Sequence, residues 1–297
     1  MINVLLSTYN GEKYLKELID SILSQKDAEV DILVRDDSST DSETHNILDT
    51  YQREKKLTWY KGKNIKPAQS FMQLLRDSHE TDFYAFADQD DIWLPDKLSS
   101  AINAISQYND RPALYFSRTQ LTDANLKAIK GPLIKPLLTF GESLVYKFIP
   151  GCTMVFNKKL RDIVNLYIPQ YIPMHDIWIY SIALAVNAKI VFDEKPHILY
   201  RQHGDNTIGQ GQGCLHEWKR RINRLRSGSC ERYNMAVELK KGYWQLMGKN
   251  EREILAAFID AKHSLKERIQ LANDKRFKCS DMSTYRLFKL SVLLNAY

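Results

Sequence analysis

Three carboxylates within four residues, Asp88, Asp90 and Asp91, close an apolar and aromatic run from Phe83 to Ala87. Such a run reads as a buried strand. Like charges this close repel one another, so they persist only on a solvated surface or around a cation. At a strand end of an open α/β sheet, carboxylates stand where a hard metal and the phosphates of a ligand would meet. The chemistry expected of them is divalent-metal and diphosphate binding. The alternative is a solvated, Asp-rich turn stopped by Pro95.

The elements that must position these residues follow from the pattern around them. Val4-Leu5-Leu6 reads as a first strand, ending in the turn residues Ser7-Thr8-Tyr9-Asn10-Gly11. Val30 to Val34 reads as a second strand, ending at Arg35-Asp36-Asp37-Ser38-Ser39. Leu57 to Tyr60 and Phe83 to Ala87 supply a third and a fourth. Between them, Tyr14, Leu15, Leu18, Ile19 and Ile22, then Ile47, Leu48 and Tyr51, then Phe71, Leu74 and Leu75 recur at helical spacing. Strand and helix in alternation predict a mostly parallel, Rossmann-like sheet flanked by helices. Polar residues cluster after strands one, two and four, which is the ligand edge of such a sheet.

From about Gln210 strand patterns disappear. Leu215, Trp218, Ile222 and Leu225 alternate with Lys219, Arg220, Arg221, Arg224 and Arg226, predicting a basic amphipathic helix. Ile254, Leu255, Phe258 and Ile259, then Leu287, Leu290, Leu293 and Leu294, predict further helices. The expected division is a catalytic domain over 1–209 and a helical region over 210–297, whose apolar faces could make a dimer and whose basic helix could lie on the inner face of the cell membrane.

Bulk properties bound the remaining choices. A chain of 297 residues with 44% hydrophobic content can bury a large core. It opens on no charged and apolar leader, and no apolar run approaches the ~20 residues that span a bilayer. A cytoplasmic protein, peripheral to the membrane, is expected. Cys152, Cys214, Cys230 and Cys279 form no Cys-x-x-Cys pair, so a zinc site is not expected. The net charge of +6 is modest, a cluster of basic residues falls in the helix around Trp218, and no nucleic-acid-binding motif is present, so no nucleic acid partner is expected.

Taken in order, Ser7 to Gly11, Arg35-Asp36-Asp37-Ser38-Ser39, Asp88-Gln89-Asp90-Asp91-Ile92-Trp93-Leu94-Pro95, Met174-His175-Asp176 and Leu199-Tyr200-Arg201-Gln202-His203 resemble the inverting GT-A glycosyltransferases of family 2. The resemblance covers roughly Ile2 to Gly209. It is narrowest with bacterial dTDP-rhamnose-dependent rhamnosyltransferases of cell-wall and capsular polysaccharide assembly.

The resemblance implies a role for each segment. Ser7 and Tyr9 would contact the nucleotide base. Asp37 would accept the N3–H of uracil or thymine, a donor cytosine lacks, while Asp36 or a neighbouring Ser could cap the next helix. Lys66 could meet the diphosphate or stay solvated. Asp88 and Asp90 match the Asp-x-Asp motif: Asp90 would bind Mg2+ or Mn2+ directly, and Asp88 would hold the ribose and the metal's water shell. Asp91 reads instead as a helix N-terminal charge. His203 would be a further metal ligand through a neutral imidazole nitrogen. Asp176 would be the general base that takes the acceptor hydroxyl's proton in one direct displacement, although it could also cap its helix. Gly151 and Trp178 would face the acceptor, with Trp178 stacking on a sugar or lying in the core. His175 reads as a surface residue or a support to the site. Arg201 would contact the diphosphate or form a salt bridge. The segment 204–213 could close over the donor.

The implied partners are a dTDP- or UDP-sugar donor and a lipid-linked saccharide acceptor. A UDP-hexose donor such as UDP-glucose or UDP-galactose is the alternative, because Asp37 cannot tell uracil from thymine. A sugar nucleotidyltransferase would show a Gly-rich phosphate loop, and Gly11 is the only glycine in the first sixty residues. A scaffolding subunit without activity would not need Asp88, Asp90, Asp176 and His203 together.

Overall fold

The computed structural model describes residues 1–131, 135–146, 149–202 and 230–297. Its centre is a seven-stranded sheet in the order β3-β2-β1-β4-β8-β6-β9. The strands are β1 (Ile2–Thr8), β2 (Val30–Asp36), β3 (Thr58–Lys61), β4 (Phe83–Asp88), β6 (Ala113–Ser117), β8 (Val155–Asn157) and β9 (Lys189–Asp193). Neighbouring strands are parallel except around β8, which runs antiparallel to both β4 and β6. A small second sheet joins β5 (Ile92–Trp93), β10 (Ile198–Arg201) and β7 (Gln120–Thr122).

The central strands are apolar on both faces because helices cover both. Ile2, Val4 and Leu6 point to one side with α1 (Leu15–Leu23), α2 (Ser42–Arg53) and α4 (Lys97–Ile105). Leu5, Tyr84 and Phe86 point to the other, with α3 (Lys66–Asp77), α5 (Phe140–Val145), α6 (Lys158–Val164) and α7 (His175–Ala185). Four further helices, α8 (Glu231–Tyr243), α9 (Lys249–Asp260), α10 (Leu265–Asn273) and α11 (Met282–Leu293), add to that second layer. Met235, Leu239, Phe258, Phe288 and Tyr297 belong to the same buried cluster as Phe86 and Trp178. The C-terminal helices therefore share a core with the sheet. Among the described residues no helix is long and apolar enough to cross a membrane. The basic helix expected around Trp218 and the closing segment 204–213 lie outside the described residues.

Strand register sets the edge that matters. Ser7 pairs with Arg35 on one side and with Asp88 on the other, and Thr8 pairs with Asp36. The ends of β1, β2 and β4 are therefore level.

Candidate active site

The turn after β1 is held by the turn after β4. Gln89 Oε1 accepts from Thr8 Oγ1 at 2.7 Å and from Tyr9 N at 2.9 Å, and Gln89 Nε2 donates to Tyr9 O at 3.0 Å. The backbone of Tyr9 is thus clamped while its ring stays 46% exposed. Gly11 is required by proximity: a Cβ there would lie 2.6 Å from Thr8 Oγ1 and 2.8 Å from Gln89 Oε1. Ser7 Oγ is 2.6 Å from Ser70 Oγ, so this hydroxyl already belongs to a protein network.

That network runs on to the end of β2. Arg35 Nη1 donates to Ser70 Oγ at 2.9 Å and to Asp37 Oδ1 at 2.5 Å. Asp37 also accepts from Ile65 N at 2.9 Å and, through Oδ2, from Lys66 N at 3.0 Å. A carboxylate oxygen has two acceptor directions, so Oδ2 keeps one for a further donor. Lys66 adopts a left-handed backbone with φ 71° to make this contact, and its side chain is exposed. Asp36 is fully buried and accepts from Ser39 N, Ser39 Oγ and His45 Nε2. The helix cap expected of Asp36 is supplied by Asp41, which accepts from Thr44 N.

Around Asp88 the carboxylates converge. The Asp88 and Asp91 carboxylates and Cys152 Sγ lie within 4.8 Å of one another. Burial, then the charges of Asp90 and Asp176, push the Asp88 carboxyl up to about 8. Asp176, remote in sequence, is therefore electrostatically coupled to the Asp88 cluster. Asp91 is not the exposed helix charge expected of it. It is 1% exposed, Trp93 after it is in a strand rather than a helix, and its Oδ1 accepts from Arg201 N at 3.4 Å. Its Oδ2 is buried without a partner. Burial, then Asp90 and Asp88, raise its carboxyl well above the ordinary range. Cys152 is held as a thiol by burial and by these same carboxylates, which rules it out as a ready nucleophile.

Beneath this cluster lies a residue with no assigned part in the sequence pattern. Lys97, 1% exposed, places Nζ 3.5 Å from the centre of the Trp93 ring, and Nζ has no hydrogen-bond partner. Burial lowers its ammonium to about 7, against the pull of Cys152 and Asp91.

Asp176 is 8% exposed, in the first turn of α7. The helix is preceded by Met174 as its cap, so Asp176 is not the capping residue; its Oδ1 accepts from Ile177 N at 2.6 Å. Gly151 opens the turn Gly151–Thr153 against this carboxylate. A Cβ on Gly151 would stand 2.7 Å from His175 Nε2 and 3.1 Å from Asp176 Cβ, so a glycine lets the turn approach α7. His175 is not at the surface: it is 3% exposed between Phe71 and Phe86, with ring centres 4.0 and 4.8 Å away. Burial lowers its imidazole to about 3, so it is neutral.

Two expected ligand contacts are corrected by packing. Trp178 has no exposed surface and meets Tyr243 of α8 edge-on at 5.8 Å, so it offers no ring face to a sugar. Arg201 is 3% exposed. Its Nη2 pairs with Glu17 at 2.5 Å, its Nη1 donates to Ala124 O at 3.3 Å, and its guanidinium lies 4.2 Å from the Tyr14 ring centre. The salt bridge is the role the structure shows. Glu17→Ala is accordingly expected to lower unfolding stability by ~1–3 kcal/mol in urea titration, since it removes the carboxylate partner of a buried guanidinium, while leaving nucleotide affinity unchanged. His203 lies outside the described residues, one position beyond Gln202.

A sheet with a level polar edge, a carboxylate cluster and a second carboxylate brought in by a helix is the arrangement of a GT-A glycosyltransferase. The chain belongs to glycosyl transferase family 2, whose profile matches residues 3–162. It is 33% identical over 237 residues, 72% of this chain and 77% of the relative, to the dTDP-rhamnosyl transferase RfbG of Shigella flexneri. It is 23% identical over 192 residues, 64% of this chain and 73% of the relative, to an Escherichia coli UDP-Glc:alpha-D-GlcNAc-diphosphoundecaprenol beta-1,3-glucosyltransferase, WfaP. The fold superposes on S. aureus TarS 1-349 in complex with UDP-GlcNAc, with TM-score 0.59 and 17% identity over 100% of this chain and 92% of that one. It also superposes on the mannosyltransferase PcManGT from Pyrobaculum calidifontis in complex with GDP-Man and Mn2+, with TM-score 0.53 and 16% identity over 99% and 85%.

Proposed function

We propose that the enzyme transfers L-rhamnose from dTDP-β-L-rhamnose to a hydroxyl of a lipid-linked saccharide, with inversion to an α-rhamnoside. The observation that carries the sugar is the 33% identity to a dTDP-rhamnosyl transferase over 72% of the chain. In this reading Tyr9 lies against the pyrimidine, Ser7 and Asp37 bind at the base, and Lys66 meets the diphosphate. Asp176 takes the acceptor proton beside Gly151. The N-terminus of α7 favours its ionised form. Residues 1–209 would carry the chemistry, and 210–297 would face the membrane or a second copy.

The carboxylates fit a divalent cation. Asp88, Asp90 and Asp176 bring mutually repelling charge to one place, and Asp91 Oδ2 is buried without a partner. Hard oxygen ligands suit Mg2+ or Mn2+, and the protonated Cys152 does not compete. Asp88 and Asp90 would hold the ion, with His203 as a further ligand. When bound, it would offset the negative charge that grows on the departing diphosphate.

A UDP-hexose donor is the second reading, favoured by the identity to a UDP-Glc-dependent enzyme. Thermal-shift titration with Mn2+ and each of dTDP, UDP, GDP and ADP separates the two. Ligands that bind only the folded state raise the melting temperature. A Mn2+-dependent rise with dTDP that exceeds the rise with UDP is expected. An equal or larger rise with UDP favours the hexose, and no rise with either pyrimidine nucleotide defeats both readings.

A further inference from the structure

The last two helices turn an apolar face to solvent. On α11 the buried side is Tyr285, Phe288, Ser291 and Val292. Opposite it, Met282, Leu290, Leu293 and Leu294 are 48, 47, 42 and 62% exposed. At about 100° per residue these positions, with Arg286 among them, fall on one outward side. On α10, Leu265 and Ile269 are 57 and 47% exposed. The two strips are neighbours, because Arg268 Nη1 on α10 donates to Leu293 O at 3.2 Å. Large aliphatic side chains scattered singly on a surface need no explanation, but six on one pair of packed helices mark an interaction face.

Charge selects the partner. Residues 262–297 contain eight Lys and Arg against three Asp and Glu, a net +5 within a chain of net +6. Lys266, Arg286 and Lys289 stand on or beside the apolar strip. Of the three acids, Asp274 is taken by Arg276 at 2.6 Å and Glu267 accepts from Ser264 at 3.0 Å. A second copy would bring the same positive face against this one, with no acidic counterpart. An anionic lipid surface supplies both terms: headgroups for the cations and acyl chains for the leucines. We propose that the α10–α11 face lies in the plane of an anionic membrane. The contact is formed by residues of 265–294, later in the sequence than the basic segment around Trp218. It bears on the proposed function by bringing the site to a lipid-linked acceptor, and it does not depend on the donor.

The test is sedimentation of the full chain with phosphatidylcholine vesicles, with and without phosphatidylglycerol. Binding is expected only with the anionic lipid. The double change Leu290→Glu and Leu294→Glu should weaken it at least tenfold, as should Arg286→Glu with Lys289→Glu, which spares the apolar strip. Leu290, Leu294 and Arg286 are exposed and Lys289 is half-buried over the Tyr285 ring, so the rise in melting temperature with Mn2+ and dTDP should match the unchanged protein. Binding by both variants equal to the unchanged protein would overturn the proposal. So would light scattering that shows a dimer converted to monomer by the leucine changes, with no loss of lipid binding. Loss of the nucleotide response in the unchanged protein defeats the donor reading and leaves this one standing.

Discussion

Asp176→Asn should reduce turnover by ~10²–10⁴-fold, the range associated with one positioned general base. Nucleotide affinity should change far less than turnover, because Asp176 comes from α7 and acts on the Asp88 cluster only through its charge. The amide keeps the size of the carboxylate and its acceptor oxygen for Ile177 N, so the fold should survive. What is lost is the capacity to accept a proton. Since a group acting only in the transition state lowers kcat and leaves binding alone, the decisive measurement is the split between kcat and KM for donor. Turnover within a few-fold of the unchanged enzyme would remove Asp176 from the chemistry. A large rise in donor KM at constant kcat would move it to binding.

Asp88→Asn should do two opposite things: stabilise the metal-free protein at pH 7–8 and abolish its Mn2+-dependent response to dTDP. The Asp88 carboxyl is raised from 3.8 to about 8 by burial, Asp90 and Asp176. Between those values the folded protein holds a proton that the unfolded chain has released. Stability from this group is therefore lost progressively as pH rises from ~4 to ~8, the reverse of a carboxylate with a lowered pKa. Asparagine removes that slope. A cation has to displace the same proton, so Mn2+ affinity of the unchanged protein should climb with pH toward 8. Melting curves at pH 5 and pH 8, with and without Mn2+, read all three effects. A variant that still responds to dTDP only when Mn2+ is present would sink the metal assignment. Such a trade, where the group that serves the site costs the fold, is common at functional positions.

The apolar runs and the helical spacing between them were enough to predict the sheet and its wrapping helices, because burial from water acts on each segment through its own pattern. The strand boundaries lay within a few residues of those observed: Phe83 to Ala87 became β4, and Val30 to Val34 grew to Asp36. The polar strand ends were legible for the same reason, since a carboxylate interrupts the apolar run even where, as at Asp36 and Asp88, the strand itself continues through it. Sequence alone also singled out Asp88 and Asp176.

That these two influence one another was decided by packing, which set α7 and the Gly151 turn beside the end of β4. The same long-range contacts decided what local pattern leaves open. Arg201 and Trp178 carry the chemistry of ligand-binding side chains. One is paired with Glu17, 184 positions away, and the other is sealed under Tyr243. Gln89 carries no role in the sequence pattern, yet it clamps Tyr9 across two strands. Lys97 has no mark in the sequence pattern, yet it is buried beside Asp91 and Cys152. A side chain's type states which bonds it can make. Which of them it makes depends on neighbours that only the folded chain supplies.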